Sequence, residues 1–395
     1  MKQLTFTTIG LTLMLGAACS FDATSGTSAA LDPGAPTRGA NPGLCAGPST
    51  FSYALCTCED FAQFGLLKVG AGASGEGSVG VNGFSTVANG SEISGSWVSW
   101  KDVTAATGSH IGGSLRSGAD VKAAGAVFIG KDLAVKDNLT GAGLLTVGGK
   151  LRVGGNDLFL GVRQMAGGKA GFDGPTQPPC GCDAGTIFDV AGAVAQARTK
   201  NDNSAHGISS GAQLSIGVQH VTLDTGRYFF EGVRNIGAGA LTIRGNVQIY
   251  IDGSLDEIGA QAITMETGAT LDLYVSGTVH LVGFSPLGDP KSPASFRLFI
   301  GGSDRVSVGL GLQEFFGSIY APTADLAFAG VTIVRGSVFA RSLIDAGVLT
   351  IKHGGAIPAC TPPAVVVPNG GGPMPPLPPQ PMTPTPPQPA TPVVQ

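Results

Sequence analysis

Ten residues recur at a strict six-residue interval: Trp97, Val103, Ser109, Leu115, Val121, Val127, Leu133, Leu139, Leu145 and Leu151. Nine are apolar, Ser109 is the exception, and Val79 extends the register backwards. The segments "ISGSW", "IGGSL", "IGKDL" and "VGGKL", starting at Ile93, Ile111, Ile129 and Val147, each follow the last by 18 residues. Six is not a helical period, and glycines interrupt every copy, so a helix is a poor account. A short strand and a turn fit within one hexad. Three hexads then close one triangular coil, in which the hexad residue and the residue two places on, such as Val135, Val147 and Val153, face inward. No such coil buries its inner face alone, so coils must stack. The expected fold is all-β: a parallel β-solenoid, a right-handed β-helix of about 18 residues per coil.

Composition agrees with many tight turns between short buried strands. The chain of 395 residues has 63 glycines and only 13% charged residues, yet 43% hydrophobic residues. A net charge of −4 gives no basic footprint for nucleic acid.

The order of segments follows from composition. Lys2 and the apolar Leu4–Leu15 read as a signal peptide over residues 1–18, too short to span a bilayer. Gly16-Ala17-Ala18-Cys19 is similar to a bacterial lipobox with Leu15 one place early, which marks Cys19 for lipidation; simple secretion is the alternative. A tether follows over 19–44, then regular repeats over 45–165. Residues 166–203 form a Cys-bearing loop and a helix over Ile187–Lys200, from Val190, Val194 and Ala197 at helical spacing. A less regular solenoid continues over 204–360, where "GSIYA" at Gly317 and "GSVFA" at Gly336 define a 19-residue coil. The tail 361–395, with 14 prolines, cannot bury a core and is expected to be disordered. The body is expected to be one continuous solenoid with an inserted helix.

Seven cysteines are an odd number for an exported chain. Lipid on Cys19 leaves Cys45, Cys56, Cys58, Cys180, Cys182 and Cys360 as disulfide candidates, with 15 possible pairings. The Cys-x-Cys spacings and export favour disulfides over zinc.

"NDNSAHGIS", "VTLDTGRYFFEGV", "GSIYAPTADLAFAG" and "GSVFARSL" resemble a poorly characterised bacterial surface domain over roughly Cys180–Ala356. That resemblance implies an exported, often lipid-anchored protein, like the β-solenoid segments of choice-of-anchor adhesin-like and pilus-associated proteins. The first half resembles bactofilins, in period only; those polymerise end to end.

Motifs for chemistry dissolve into the repeat. Gly125 to Gly130-Lys131 has P-loop spacing, but Asp132 stands where Ser or Thr would bind magnesium, and the glycines belong to coil corners. Gly70, Gly72 and Gly75 precede turns rather than a helix. Ser209 in "GISSG", beside His206, lacks the strand-to-helix elbow. His110, His206, His220, His280 and His353 have no metal-ligand spacing. Asp252, Asp256, Glu257, Asp272 and Asp325 are not marked as a catalytic pair, and Trp97 and Trp100 make no aromatic row. No aligned Thr column suggests an ice-binding face.

The expected function is therefore non-enzymatic and cofactor-free: a lipid-anchored protein of the bacterial outer membrane or cell surface, serving adhesion or envelope scaffolding. Its expected partners are the membrane, envelope polysaccharide or other surface proteins, and its own ends by end-to-end association. A carbohydrate-binding or carbohydrate-active β-helix is the alternative.

Overall fold

A computed structural model describes residues 51–71, 77–209, 211–215, 220–234, 240–256, 263–281, 287–308 and 312–353. The signal peptide, the tether and the tail expected from sequence lie outside these residues, as do Cys19, Cys45, Cys360 and Glu257.

The hexads form three parallel ladders. Val79, Trp97, Leu115, Leu133 and Leu151 stack in register on one face. Phe61, Ser85, Val103, Val121 and Leu139 stack on the second, and Leu67, Ser91, Ser109, Val127 and Leu145 on the third. Alternation sends every second strand residue inward, as in Ser91–Ile93 and Ser109–Ile111, where both ends are buried and the middle is exposed. Ser109 fits this apolar interior because its hydroxyl donates to Ala106 O at 2.9 Å.

Corners are held by polar side chains that reach one coil back. Ser78, Ser96, Ser114 and Asp132 each accept from the backbone amide 18 residues on, at Ser96, Ser114, Asp132 and Lys150. Asp102, Asp120 and Asn138 do the same for Asp120, Asn138 and Asn156 at the next corner. The 18-residue period is thus fixed twice, by inner packing and by outer hydrogen bonds.

Coil order departs from chain order. The first strand, Leu55–Thr57, pairs with Val79–Val81 on one side and with Val338–Ala340, near the end of the described chain, on the other. Phe61–Gln63 likewise lies between Ser85–Val87 and Leu343–Asp345, and Leu66–Ala71 between the strand Ser91–Ile93 and the strand Val348–His353. The first coil therefore sits mid-rod. The regular repeats climb from it to an end at Asp157–Met165, and the later coils start at the opposite end and climb to meet it. Both are one solenoid, but the expected chain-order arrangement gives way to a permuted one. Coils in the later half lengthen, as the steps along Tyr228, Ile249, Leu273, Leu298, Ile319 and Val338 show.

One outward column, from Phe229 through Phe339, Cys56 and Gly80 to Arg152 and Ala170, runs the full height. Its twelve steps at ~4.8 Å make the rod about 58 Å tall.

The junction buries polar groups. Gln63 and Asp345 are in register and wholly buried; Gln63 Nε2 donates to Gly347 O at 3.0 Å. Gln63 Oε1 and both Asp345 oxygens lack a partner in good geometry among the described residues. Burial raises the Asp345 pKa, offset in part by the nearby Gln63 side chain and Gly347 amide. Burial thus favours the neutral form of the Asp345 carboxyl over the charged one. His353, also buried, has its pKa lowered by burial and faces Phe51 O at 3.2 Å.

The signs are opposite. The raised acid contributes stability that is complete below its unfolded pKa of about 3.9 and is lost as pH rises through its folded value. The lowered His353 contributes stability present above about pH 6.5 and lost as pH falls. Asp345→Asn should therefore raise the melting temperature at neutral pH and leave it nearly unchanged near about pH 4. Equal melting of variant and parent at neutral pH would contradict the assignment.

Candidate functional surface

The permuted order leaves a mechanical problem: residues 171–203 must carry the chain from the upper end to the lower one. The drop from Ala170 to the Cys56 level is six rungs, about 29 Å, and ten residues span at most about 36 Å. Residues 171–180 are accordingly extended, with Pro175, Pro178 and Pro179, and lack regular structure. Arg152 holds its top, through Asp173 at 2.8 Å and Gly171 O at 3.3 Å.

At the junction the crossover is bolted down. Cys180 is bonded to Cys56 and Cys182 to Cys58, with Cα separations of 5.9 and 5.5 Å. Asn82 clamps the Cys180 backbone, donating to its oxygen and accepting from its amide, both at 2.9 Å. Gly80 makes the room, because a Cβ there would lie 3.2 Å from both Cys56 Sγ and Cys180 Sγ. Equal Cys-x-Cys spacing in both segments was the available sequence signal: positions i and i+2 of a strand share a face.

Below the bolt the outward column is aromatic: Phe229, Tyr250, Tyr274, Phe299, Tyr320 and Phe339. Tyr274 stacks on Tyr250 and on Phe299 with centroids 4.6 Å apart in each case. The helix α1, Val190–Ala197, shorter than expected at both ends, lays Val190, Ala193, Val194 and Ala197 onto this column. Asp189 caps it by accepting from Gly192 N. The Phe188 amide donates to Tyr320 Oη at 2.8 Å, and burial pushes the Tyr250 and Tyr320 hydroxyls up to about 12. Sequence reading caught two members of the column, in "GSIYA" and "GSVFA"; unequal coil lengths hid the rest.

The two ends differ. At the lower end Asp202 and Asn203 complete the face of Gly226–Phe230: they bond both the amide and the carbonyl of Arg227 and of Phe229, at 2.7–3.0 Å. The polar "NDN" run is thus a cap. At the upper end the three hexad ladders finish in Asp157, Arg163 and Lys169. Asp157 binds Arg163 at 2.9 Å and Lys169 at 3.1 Å, which closes the apolar interior with charge. The strand Asp157–Met165 pairs only with Leu139–Val147 among the described residues.

The sequence-marked chemistry does not converge. Asp252 pairs with Arg198, Asp272 with Arg297 and Asp325 with Arg341, so each carboxylate serves a local ion pair. The Arg341 hydrogen bond holds the Asp325 carboxyl below its ordinary pKa, in part against burial. Trp97 is buried in the interior, Lys131 lies exposed at a corner, and Ser209 lies on an exposed loop. Among the described residues no group of three metal-ligating side chains gathers, and no helix is long and apolar enough to cross a membrane. A shallow groove of about 510 Å³ crosses the third face between Lys68, Glu92, His110, Thr350 and Lys352, with Lys68 and Glu92 at 3.8 Å.

Residues 182–357 match a family described as a domain of unknown function, DUF7305. The match begins at the second bolt cysteine and takes in α1, the aromatic column and the later coils up to the junction; the regular repeats lie outside it. No curated protein and no solved structure matches the chain.

The bolts should act as one. Either bridge alone closes a loop of sequence separation 124, worth up to about 4–5 kcal/mol on the chain-entropy account. Once one is closed, the other adds only a small ring. Cys58→Ser/Cys182→Ser should lower stability by about 1 kcal/mol or less, and loss of all four cysteines by several times that. Equal, additive losses in denaturant melts would show that the bridges act independently.

Proposed function

We propose that this chain is a non-enzymatic, lipid-anchored structural rod of the bacterial cell surface, serving adhesion or envelope scaffolding. The observation that supports this reading most is where the described chain enters and leaves. Phe51 and His353 meet at the mid-rod junction, 3.2 Å apart between carbonyl and ring nitrogen. The described chain therefore begins and ends at the waist of the rod rather than at either end, and a segment joined at Phe51 joins it there. The paired Asp252, Asp272 and Asp325 favour a structural role over general acid-base work, which needs a carboxylate left able to exchange its proton with substrate. The groove at Lys68 and Glu92 supports a second reading, binding of envelope polysaccharide along the third face.

Replacing Cys19 by Ala should move the protein from the membrane fraction to the soluble one and abolish cell-surface adhesion or envelope cohesion that depends on it. Incubation of the purified chain with envelope polysaccharides should yield neither new reducing ends nor unsaturated sugars. Unchanged membrane retention would contradict the anchor, and release of sugar products would contradict the non-enzymatic reading.

A further inference from the structure

The bolts use four of the six disulfide candidates. Cys56 with Cys180 and Cys58 with Cys182 leave Cys45 and Cys360, which lie outside the described residues, one before and one after them. What the described residues fix is the place from which each segment departs. Phe51 and His353 are the first and last of them, and the Phe51 carbonyl oxygen lies 3.2 Å from His353 Nε2. Both side chains are buried. Phe51 packs edge-on against Tyr320, and His353 stands in register with Ala71. The packing of the rod thus holds the two departure points together.

Reach follows from chain length alone. Cys45 precedes Phe51 by six residues, and Cys360 follows His353 by seven. At a maximum of about 3.6 Å per residue, these segments reach about 22 and 25 Å by any path. A bridge needs Cα atoms about 5–6 Å apart, well within that range. Two groups tethered so closely meet at an effective concentration on the order of millimolar, above that of a second copy of the chain. The choice of partner is narrow as well. Cys56 and Cys180 are 2% and 4% exposed, with Gly80 and Asn82 fitted around them, so exchange with them would break a packed bolt. A compartment that oxidises two bridges also oxidises a third pair of thiols held within reach.

We propose that Cys45 and Cys360 form a third disulfide, which ties the start of the body to its end at the waist. Closure takes one hydrogen from each thiol. The two electrons and two protons pass to a disulfide oxidant, which leaves as a dithiol. The consequence is mechanical and rests on the reading of the chain as a surface rod. A pull between tether and tail runs through one S–S bond and past the solenoid, whose coils carry none of it. Without the bridge the same pull falls on the junction, where Val348–His353 meets Leu66–Ala71.

The test is non-reducing peptide mapping by mass spectrometry on the full chain carrying Cys19→Ala, made in an oxidising compartment and purified without reductant. A linked peptide holding Cys45 and Cys360 is expected, from a chain that runs as a monomer on a non-reducing gel and offers no alkylatable thiol when denatured. Alkylated Cys45 and Cys360 overturn the proposal, as does a link from either one to another cysteine of the chain or to a second copy. The load path has its own readout. Pulled through Ser20 and Gln395, the bridged chain should extend by roughly 60 residues, about 220 Å, without an unfolding step. Cys45→Ser/Cys360→Ser should unfold in steps at the same force and extend further. Unfolding steps in a parent mapped as bridged would overturn the load path. With Cys19 replaced, neither readout depends on the membrane anchor.

Discussion

In a stack of parallel coils, each strand's amides and carbonyls can be satisfied only by a neighbouring coil about 4.8 Å away. Every choice in this chain follows from that requirement. The strand Val338–Asp345 meets it by taking neighbours from opposite ends of the sequence, Ser318–Phe328 below and Leu55–Gln63 above. The joint between the halves is thus made of the same hydrogen bonds and inner packing as any other step of the rod.

Chain permutation has a cost, and the crossover meets it. A connection that descends the whole rod is a long segment outside the strand ladders. Prolines pre-extend its upper part, the cysteine bolts fix its middle, and α1 folds its lower part onto the aromatic column. The buried aromatics are outward residues by strand alternation, and they are covered only because the chain returns across them. This dependence explains why α1, although a short helix, is ordered: most of its stability comes from the face it covers rather than from its own turns.

How much of this was legible depends on the interaction range. The hexads at Trp97 through Leu151 gave the coil, the face count and the inward residues, because inner packing repeats at fixed sequence distance. The same spacing continued into Asp157, Arg163 and Lys169 and could have announced the upper end as a charged closure. The permutation was not readable, because the contact of Leu55 with Val338 has no sequence period to mark it. The Cys56 and Cys58 bonds to Cys180 and Cys182 were among the candidate pairings but followed only once the crossover's path was known. For the site, Asp252, Asp272 and Asp325, three of the carboxylates singled out from sequence, proved to be ion-paired. The waist junction, the Asp202–Asn203 cap and the upper strand paired on one side only among the described residues arise from stacking order.

The permuted order is the claim on which the rest depends, and a distance decides it. Gln164 and Glu231 are both exposed, one on the upper end strand and the other beside the lowest coil. Spin labels attached there by non-thiol chemistry and read by pulsed dipolar spectroscopy should report a separation of about 50 Å, set by eleven rungs of the rod. A solenoid stacked in chain order would place the two on nearby coils, and a separation of about 20 Å would contradict the account.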